Sequence, residues 1–123
     1  MSLFEVKNLE KTFYGEATET KVLRGVDFTI ETGEFVSIMG PSGSGKSTLL
    51  NILGFLLDSS GGEYWFEGKR YQDNTEDEIA RIRNREMGFV FQTFNLLPRL
   101  SVFENIQLPL MYSGRPESEW KAR

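Results

Sequence analysis

Apolar and charged residues alternate at the start of the chain, where Phe4 and Val6 stand against Glu5 and Lys7, so residues 3–9 read as a strand. Tyr14-Gly15-Glu16-Ala17-Thr18-Glu19-Thr20 reads as a polar turn. Residues 22–30 follow as a second strand, with Val26, Phe28 and Ile30 on one face. After a turn at Gly33, Phe35-Val36-Ser37-Ile38-Met39 is short and nearly all apolar, the pattern of a strand covered on both sides. A Gly/Ser-rich loop comes next, then an apolar helix predicted over residues 46–57. Gly61-Gly62 turns into Glu63-Tyr64-Trp65-Phe66-Glu67, a strand closed by Gly68.

The second half changes character. Thr75-x-x-Glu78 has the form of a capping box, in which hydroxyl and carboxylate each take a free backbone N–H of a helix's first turn. The helix it opens carries Ile79 and Ile82 on one side. Residues 87–91 form another short apolar strand. Ser101-x-x-Glu104 is a second capping box, ahead of Phe103 and Ile106. Pro109 is expected to end or kink that helix, and Pro116 stands where the first turn of a further helix begins. There is no internal repeat, no low-complexity linker and no sign of a second domain.

Composition narrows the chemistry. At 123 residues the chain suffices for one compact domain. Without Cys, disulfide and thiolate chemistry are excluded, which fits a reducing cytoplasm. Without His, the usual general base and the commonest metal ligand are gone. No apolar run is long enough to span a bilayer, and the start lacks the pattern of a signal peptide. A net charge of −4 argues against nucleic acid as a partner.

One motif carries chemistry. Gly40-Pro41-Ser42-Gly43-Ser44-Gly45-Lys46-Ser47-Thr48 fits G-x-x-x-x-G-K-[ST] between a predicted strand and a predicted helix. Gly40, Gly43 and Gly45 let the backbone curl so that successive N–H groups face one concavity, a nest for anionic oxygens. The helix beginning near Lys46 adds the positive end of its dipole. Lys46 reaches the β- and γ-phosphates of a nucleotide, and the Ser47 hydroxyl is placed to ligate Mg²⁺. Thr48 supports the α-phosphate, and Ser42 and Ser44 complete the loop. A chance match is on the order of one in 10⁴ per window, so a merely flexible turn is a poor account.

Beyond this loop the chain resembles the ATP-binding-cassette family. The loop with Leu49-Leu50-Asn51 looks like that family's form of it. Val22-Leu23-Arg24-Gly25-Val26-Asp27-Phe28, followed by Gly33-Glu34-Phe35, resembles its opening sheet. Gly88-Phe89-Val90-Phe91-Gln92, followed by Phe94-Asn95-Leu96-Leu97-Pro98, resembles its glutamine loop. Glu104-Asn105-Ile106, Leu108-Pro109-Leu110 and Tyr112-Ser113-Gly114 look like one branch, that of macrolide exporters, lipoprotein-release ATPases and antimicrobial-peptide exporters.

The resemblance implies an α/β fold of the P-loop NTPase type, with an N-terminal antiparallel β subdomain and an incomplete parallel-sheet core. It implies ATP and Mg²⁺ as cofactors. Gln92 would touch Mg²⁺ and the water near the γ-phosphate, acting with Lys46 in catalysis. An aromatic residue after the first strand would stack on adenine; that position is Phe13, with Tyr14 beside it, and either ring has the required π-face. The implied partners are ATP or ADP, membrane-spanning transporter subunits and a second cassette in a homodimer. The implied location is cytoplasmic, peripheral on the inner face of the cell membrane.

The family's cassette is roughly twice this length, so residues 1–123 are expected to be a truncated nucleotide-binding domain. The signature helix, the strand ending in Asp–Glu and the His loop are absent. The expectation is therefore Mg-nucleotide binding without turnover by this chain alone, and exposed apolar strands prone to pairing with another copy. Two decoys are set aside. Ser59-Ser60-Gly61-Gly62-Glu63 mimics the signature but precedes strand-like residues, and Leu56-Leu57-Asp58 mimics a metal-binding strand end. A GTPase would need an Asn-Lys-x-Asp guanine reader, and none is present. A small-molecule kinase would need an Arg-bearing lid, whereas Arg81, Arg83 and Arg85 follow helical spacing. A non-enzymatic half-domain that binds nucleotide and regulates a longer protein differs from the family reading only in turnover.

Overall fold

A computed structural model describes residues 1–122. The chain divides into two units, Met1–Thr75 and a second that begins at Glu76. The first is built on a four-stranded antiparallel sheet in the order β2-β1-β3-β4. Its strands are β1 (Ser2–Tyr14), β2 (Glu19–Glu31), β3 (Gly61–Phe66) and β4 (Lys69–Arg70), and helix α1 (Lys46–Leu53) lies between β2 and β3 in sequence.

β1 runs five residues beyond the predicted strand. Its alternation slips at Asn8, where φ is +48° and the ladder with β2 shifts register between Val6 and Leu9. This β-bulge moves the inward set from Phe4 and Val6 to Leu9 and Thr12, all buried. The Asn8 N–H donates to Asp27 Oδ1 at 3.0 Å. β3 enters beside the bulge: a Cβ on Gly62 would lie 2.1 Å from the Asn8 carbonyl oxygen, so only glycine fits.

The core forms where this sheet meets Leu49, Ile52 and Leu53 of α1, and Phe4, Phe55, Tyr64 and Phe66 make up its aromatic part. Tyr64 is 0% exposed and donates from its hydroxyl to the Ile52 carbonyl at 3.3 Å. Burial, then the neighbouring Tyr71, pushes that phenol far above its ordinary range, so it stays a neutral donor. Phe55 is the hub. Its ring centroid lies 5.6 Å from Phe66, 6.1 Å from Tyr64 and 5.3 Å from Tyr71.

The predicted helix over residues 46–57 stops at Leu53, and Phe55 is the reason. At φ +59° it takes the left-handed position of a Schellman motif. Leu56 N bonds to Asn51 O at 2.8 Å, and Phe55 N to Ile52 O at 3.0 Å. Glycine is usual there; a side chain costs about 1–2 kcal/mol in this conformation. Burial of the ring offsets that strain.

Residues 35–39 depart from expectation. They lie outside any ladder among the described residues, with Phe35 94% and Met39 90% exposed. Residues 87–91 in the second unit are likewise outside a ladder, with Val90 exposed. A strand buried on both faces needs neighbours on both edges, and no described segment supplies them. Among the described residues the antiparallel sheet is the only ladder, and these two apolar stretches stay outside it.

In the second unit, α2 (Glu76–Glu86) starts just after Thr75, with Glu76, Asp77 and Glu78 in its first turn and Arg83 and Arg85 in its last. Both groups complement the helix dipole. α3 (Val102–Met111) opens on the predicted capping box: Glu104 N donates to Ser101 Oγ at 3.2 Å, and Ser101 N to Glu104 Oε2 at 2.7 Å. α3 runs past Pro109 and ends two residues later, at Met111. The Pro109 carbonyl also accepts from Asn84 Nδ2 of α2 at 3.2 Å. After Pro116 comes a 3₁₀ helix, Glu117–Ala122, in place of an α-helical turn.

Phe55→Ala should lower the unfolding free energy by about 3–5 kcal/mol, because the cavity adds to the lost transfer energy while the strained backbone remains. Chemical denaturation followed by circular dichroism measures it; a loss under about 1 kcal/mol would show that the ring is not the hub. Backbone hydrogen bonding at Ser101 holds the Glu104 carboxyl below its ordinary value of 4.5. A depressed folded-state pKa gives stability that is full above the unfolded value and lost as pH falls through the folded one. Local protection of the first turn of α3 should therefore fade as pH falls below the ordinary carboxylate range, and Glu104→Gln should flatten that dependence in amide exchange.

Candidate functional site

The loop of residues 40–48 is positioned by β2. A Cβ on Gly45 would lie 3.0 Å from Leu23 Cδ2, 3.1 Å from Val22 Cγ1 and 3.2 Å from the Val22 carbonyl oxygen. Gly45 also has φ +96°, so both its conformation and its neighbours exclude a side chain. It is the N-cap of α1, and its carbonyl accepts the first helical bond, from Leu49 N at 2.9 Å. The sheet therefore fixes where α1 begins and which way its N-terminus faces.

No side chain caps α1, and its first turn contains no acidic residue. Lys46 folds back over the loop. Its ammonium donates to Gly40 O at 2.6 Å, Pro41 O at 2.7 Å and Ser44 Oγ at 3.4 Å. Ser44 N closes the turn on Pro41 O at 3.2 Å. Ser47 is exposed and Thr48 half-buried. Such a site offers a fixed positive charge, free helical N–H donors and a hydroxyl, which suits a phosphate group.

Phe13 is on the same unit and is 42% exposed, so it is not a core residue. It pairs with Thr20 across the ladder, two residues along β2 from Val22. At about 3.3 Å per residue that places Phe13 roughly 7 Å along the strand from the residue that touches Gly45. Tyr14, paired with Glu19, is one step farther and more exposed. Gln92 belongs to the second unit, exposed, just before the turn in which Thr93 Oγ1 donates to Asn95 Oδ1 at 3.2 Å.

Both decoys are structural. The Ser60 hydroxyl extends the β1–β3 pairing, accepting from Thr12 N at 2.9 Å and donating to Thr12 O at 3.2 Å. Gly61 and Gly62 then open β3. Asp58 accepts from the Tyr71 hydroxyl at 2.5 Å and, through its carbonyl, from Lys11 Nζ at 2.6 Å.

Comparison with known proteins fits this geometry. The family model for ABC transporters matches residues 23–123. The chain belongs to the ABC transporter family. It is 46% identical over its full length to a macrolide export ATP-binding/permease protein of Syntrophobacter fumaroxidans, covering 17% of that protein. It is 44% identical to a pyoverdine export ATP-binding/permease protein of Pseudomonas fluorescens, over 98% of the chain and 19% of the relative. A dimeric bacterial ABC transporter cassette superposes with TM-score 0.87 at 43% identity, over 97% of this chain and 53% of the cassette. A post-hydrolysis cassette bound to ADP and Pi gives TM-score 0.86 at 42% identity. The chain thus spans about half the length of these ABC cassettes and under a fifth of the export proteins. The resemblance carried by the loop, opening sheet and glutamine-loop segments is borne out, and so is the α/β P-loop fold. Among the described residues no helix is long and apolar enough to cross a membrane.

Sequence reasoning did not single out Val22 or Lys11. Val22 reads as an ordinary strand residue, and only the folded contact with Gly45 gives it a role. Lys11 reads as an exposed strand charge, and only its folded contacts with the Phe13 ring and the Asp58 carbonyl set it apart. Gly45→Ala should destabilise the chain by more than Gly43→Ala. Both residues have positive φ, +96° and +81°, yet a Cβ at Gly43 meets nothing within 4 Å. The difference should be about 1 kcal/mol or more, as for overpacking against fixed backbone. Paired denaturation curves measure it, and equal losses would show that Gly45 does not rest on β2.

Proposed function

We propose that this chain is the ATP-binding region of an ABC export system, taking up the phosphates of ATP or ADP in the loop of residues 40–48. The observation that carries the proposal is the Lys46 ammonium held over Gly40 and Pro41 in front of a helix start that no side chain caps. Its donors and the free N–H groups of α1 converge where β2 holds Gly45. A triphosphate bound there would compete with the loop carbonyls for Lys46, while Ser42, Gly43, Ser44 and Thr48 shape the cradle. The solved cassette bound to ADP and Pi supports a nucleotide as the ligand.

On the first unit the exposed Ser47 hydroxyl is a neutral oxygen donor suited to Mg²⁺, so the balancing charge would come from the phosphates. The cation would supply charge neutralisation on the β- and γ-oxygens. Lys46 would stabilise the charge that moves onto the leaving phosphate, and Gln92 would orient water near the γ-phosphate. Residues 1–123 act in this reading as one nucleotide-binding region. Its partners are a second cassette and membrane-spanning subunits, which place it on the inner, cytoplasmic face of the membrane. The export ATP-binding/permease relatives and the dimeric cassette support those partners. The exported substrate is chosen by the membrane subunits.

Lys46→Ala removes the only ammonium in the loop, and affinity for Mg-ATP should fall at least tenfold, about 1.4 kcal/mol. Titration calorimetry giving equal affinity for wild type and variant would reject the site. Adenine stacks on Phe13 in this reading, with Tyr14 as the alternative ring. Phe13→Ala should weaken ATP by about 1 kcal/mol while sparing inorganic triphosphate, because only the base loses its platform. Equal losses for both ligands would assign Phe13 a structural role.

A further inference from the structure

Lys11 occupies a particular place beside the proposed base platform. Its ammonium lies 5.2 Å from the centroid of the Phe13 ring and at the same time donates to the Asp58 carbonyl at 2.6 Å. The ladder with β2 shifts register between Lys11 and Thr12, so the contact belongs to this irregular stretch of β1 rather than to plain alternation. The Asp58 bond anchors the ammonium to the segment between α1 and β3. Asp58 is itself tied down through its carboxylate by the Tyr71 hydroxyl, at 2.5 Å. The cation is thus tethered rather than free to leave the ring.

We propose that Lys11 is a positioning residue for nucleotide-base recognition, setting the Phe13 ring and leaving one face of it for a purine. This rests on the reading that the loop of residues 40–48 binds the phosphates. A ring exposed to the extent of Phe13 would otherwise sample several rotamers, and ordering it on binding would weaken the complex. A cation against one face restrains the ring and draws its π-density toward that side. The opposite face then presents a less negative surface to an electron-rich heteroaromatic base, which favours offset stacking. Tyr14 is 77% exposed and has no such cation contact among the described residues. The choice between the two rings therefore falls on Phe13.

The test compares Mg-ATP with inorganic triphosphate on the full chain by titration calorimetry, for wild type, Lys11→Met, Lys11→Arg and Lys46→Ala. Lys11→Met keeps the apolar stem but removes the charge. It should weaken ATP about two- to fivefold, the range of an exposed cation–π contact, and leave triphosphate affinity unchanged. Lys11→Arg should restore most of the ATP affinity. An unchanged ATP affinity in Lys11→Met overturns the proposal, and so does an equal loss for both ligands, which would mean general loosening or simple charge attraction. Should Lys11→Met weaken ATP equally in a Phe13→Ala background, Lys11 acts without the ring and the proposal also fails. The underlying site is judged separately. If Lys46→Ala leaves triphosphate binding intact, or wild type binds neither ligand, it is the phosphate-loop reading that fails and this inference goes with it.

Discussion

The close approach of Gly45 to Val22 and Leu23 is the constraint on which the site depends. A backbone pressed against a neighbouring strand has no room for a side chain, and its positive φ turns the chain abruptly into a helix. That single contact settles the start of α1, the direction of its N-terminal N–H groups and the point at which Lys46 leaves the helix. Electrostatics then acts on geometry already fixed by packing. The ammonium bonded to Gly40 and Pro41 ties the beginning of the loop to its end.

What keeps β2 in place for that contact is the core formed between the sheet and α1. Phe55, Tyr64, Phe66 and Tyr71 join the helix's C-terminal turn to β3 and the segment after β4. β3 holds β1, and β1 holds β2 through a ladder interrupted by the Asn8 bulge. The same core reaches toward the proposed base platform, because Tyr71 orders Asp58 and Asp58 orders Lys11. Stability and the proposed recognition share these residues, so substitutions in the core are expected to reach the proposed nucleotide site through the backbone of β1 and β2.

Some of this was legible in the sequence because the chemistry is local. The loop of residues 40–48 and the Ser101–Glu104 capping box are set by residues within a few positions of one another. Other features escaped because distant residues decide them. The bulge at Asn8 breaks the period-two pattern that would have carried β1 on to Tyr14. The apolar run after Leu53 looks helical, yet burial of the Phe55 ring outweighs the strain of its left-handed backbone and ends α1 there. Residues 35–39 have a buried strand's composition, but a ladder depends on partners, and among the described residues they have none. For the site, Lys46 announces itself by motif, whereas Lys11 and Val22 matter only through contacts made across the fold.

The most direct test of this account is amide hydrogen exchange across residues 40–48, with and without Mg-ATP. The account places the phosphates on the free N–H groups of the loop and the first turn of α1. Exchange should therefore slow by about tenfold or more at residues 43–48 when nucleotide saturates the chain, a local stabilisation of about 1.4 kcal/mol. Saturating nucleotide that leaves residues 43–48 unprotected, or protects only residues outside the loop, would contradict it.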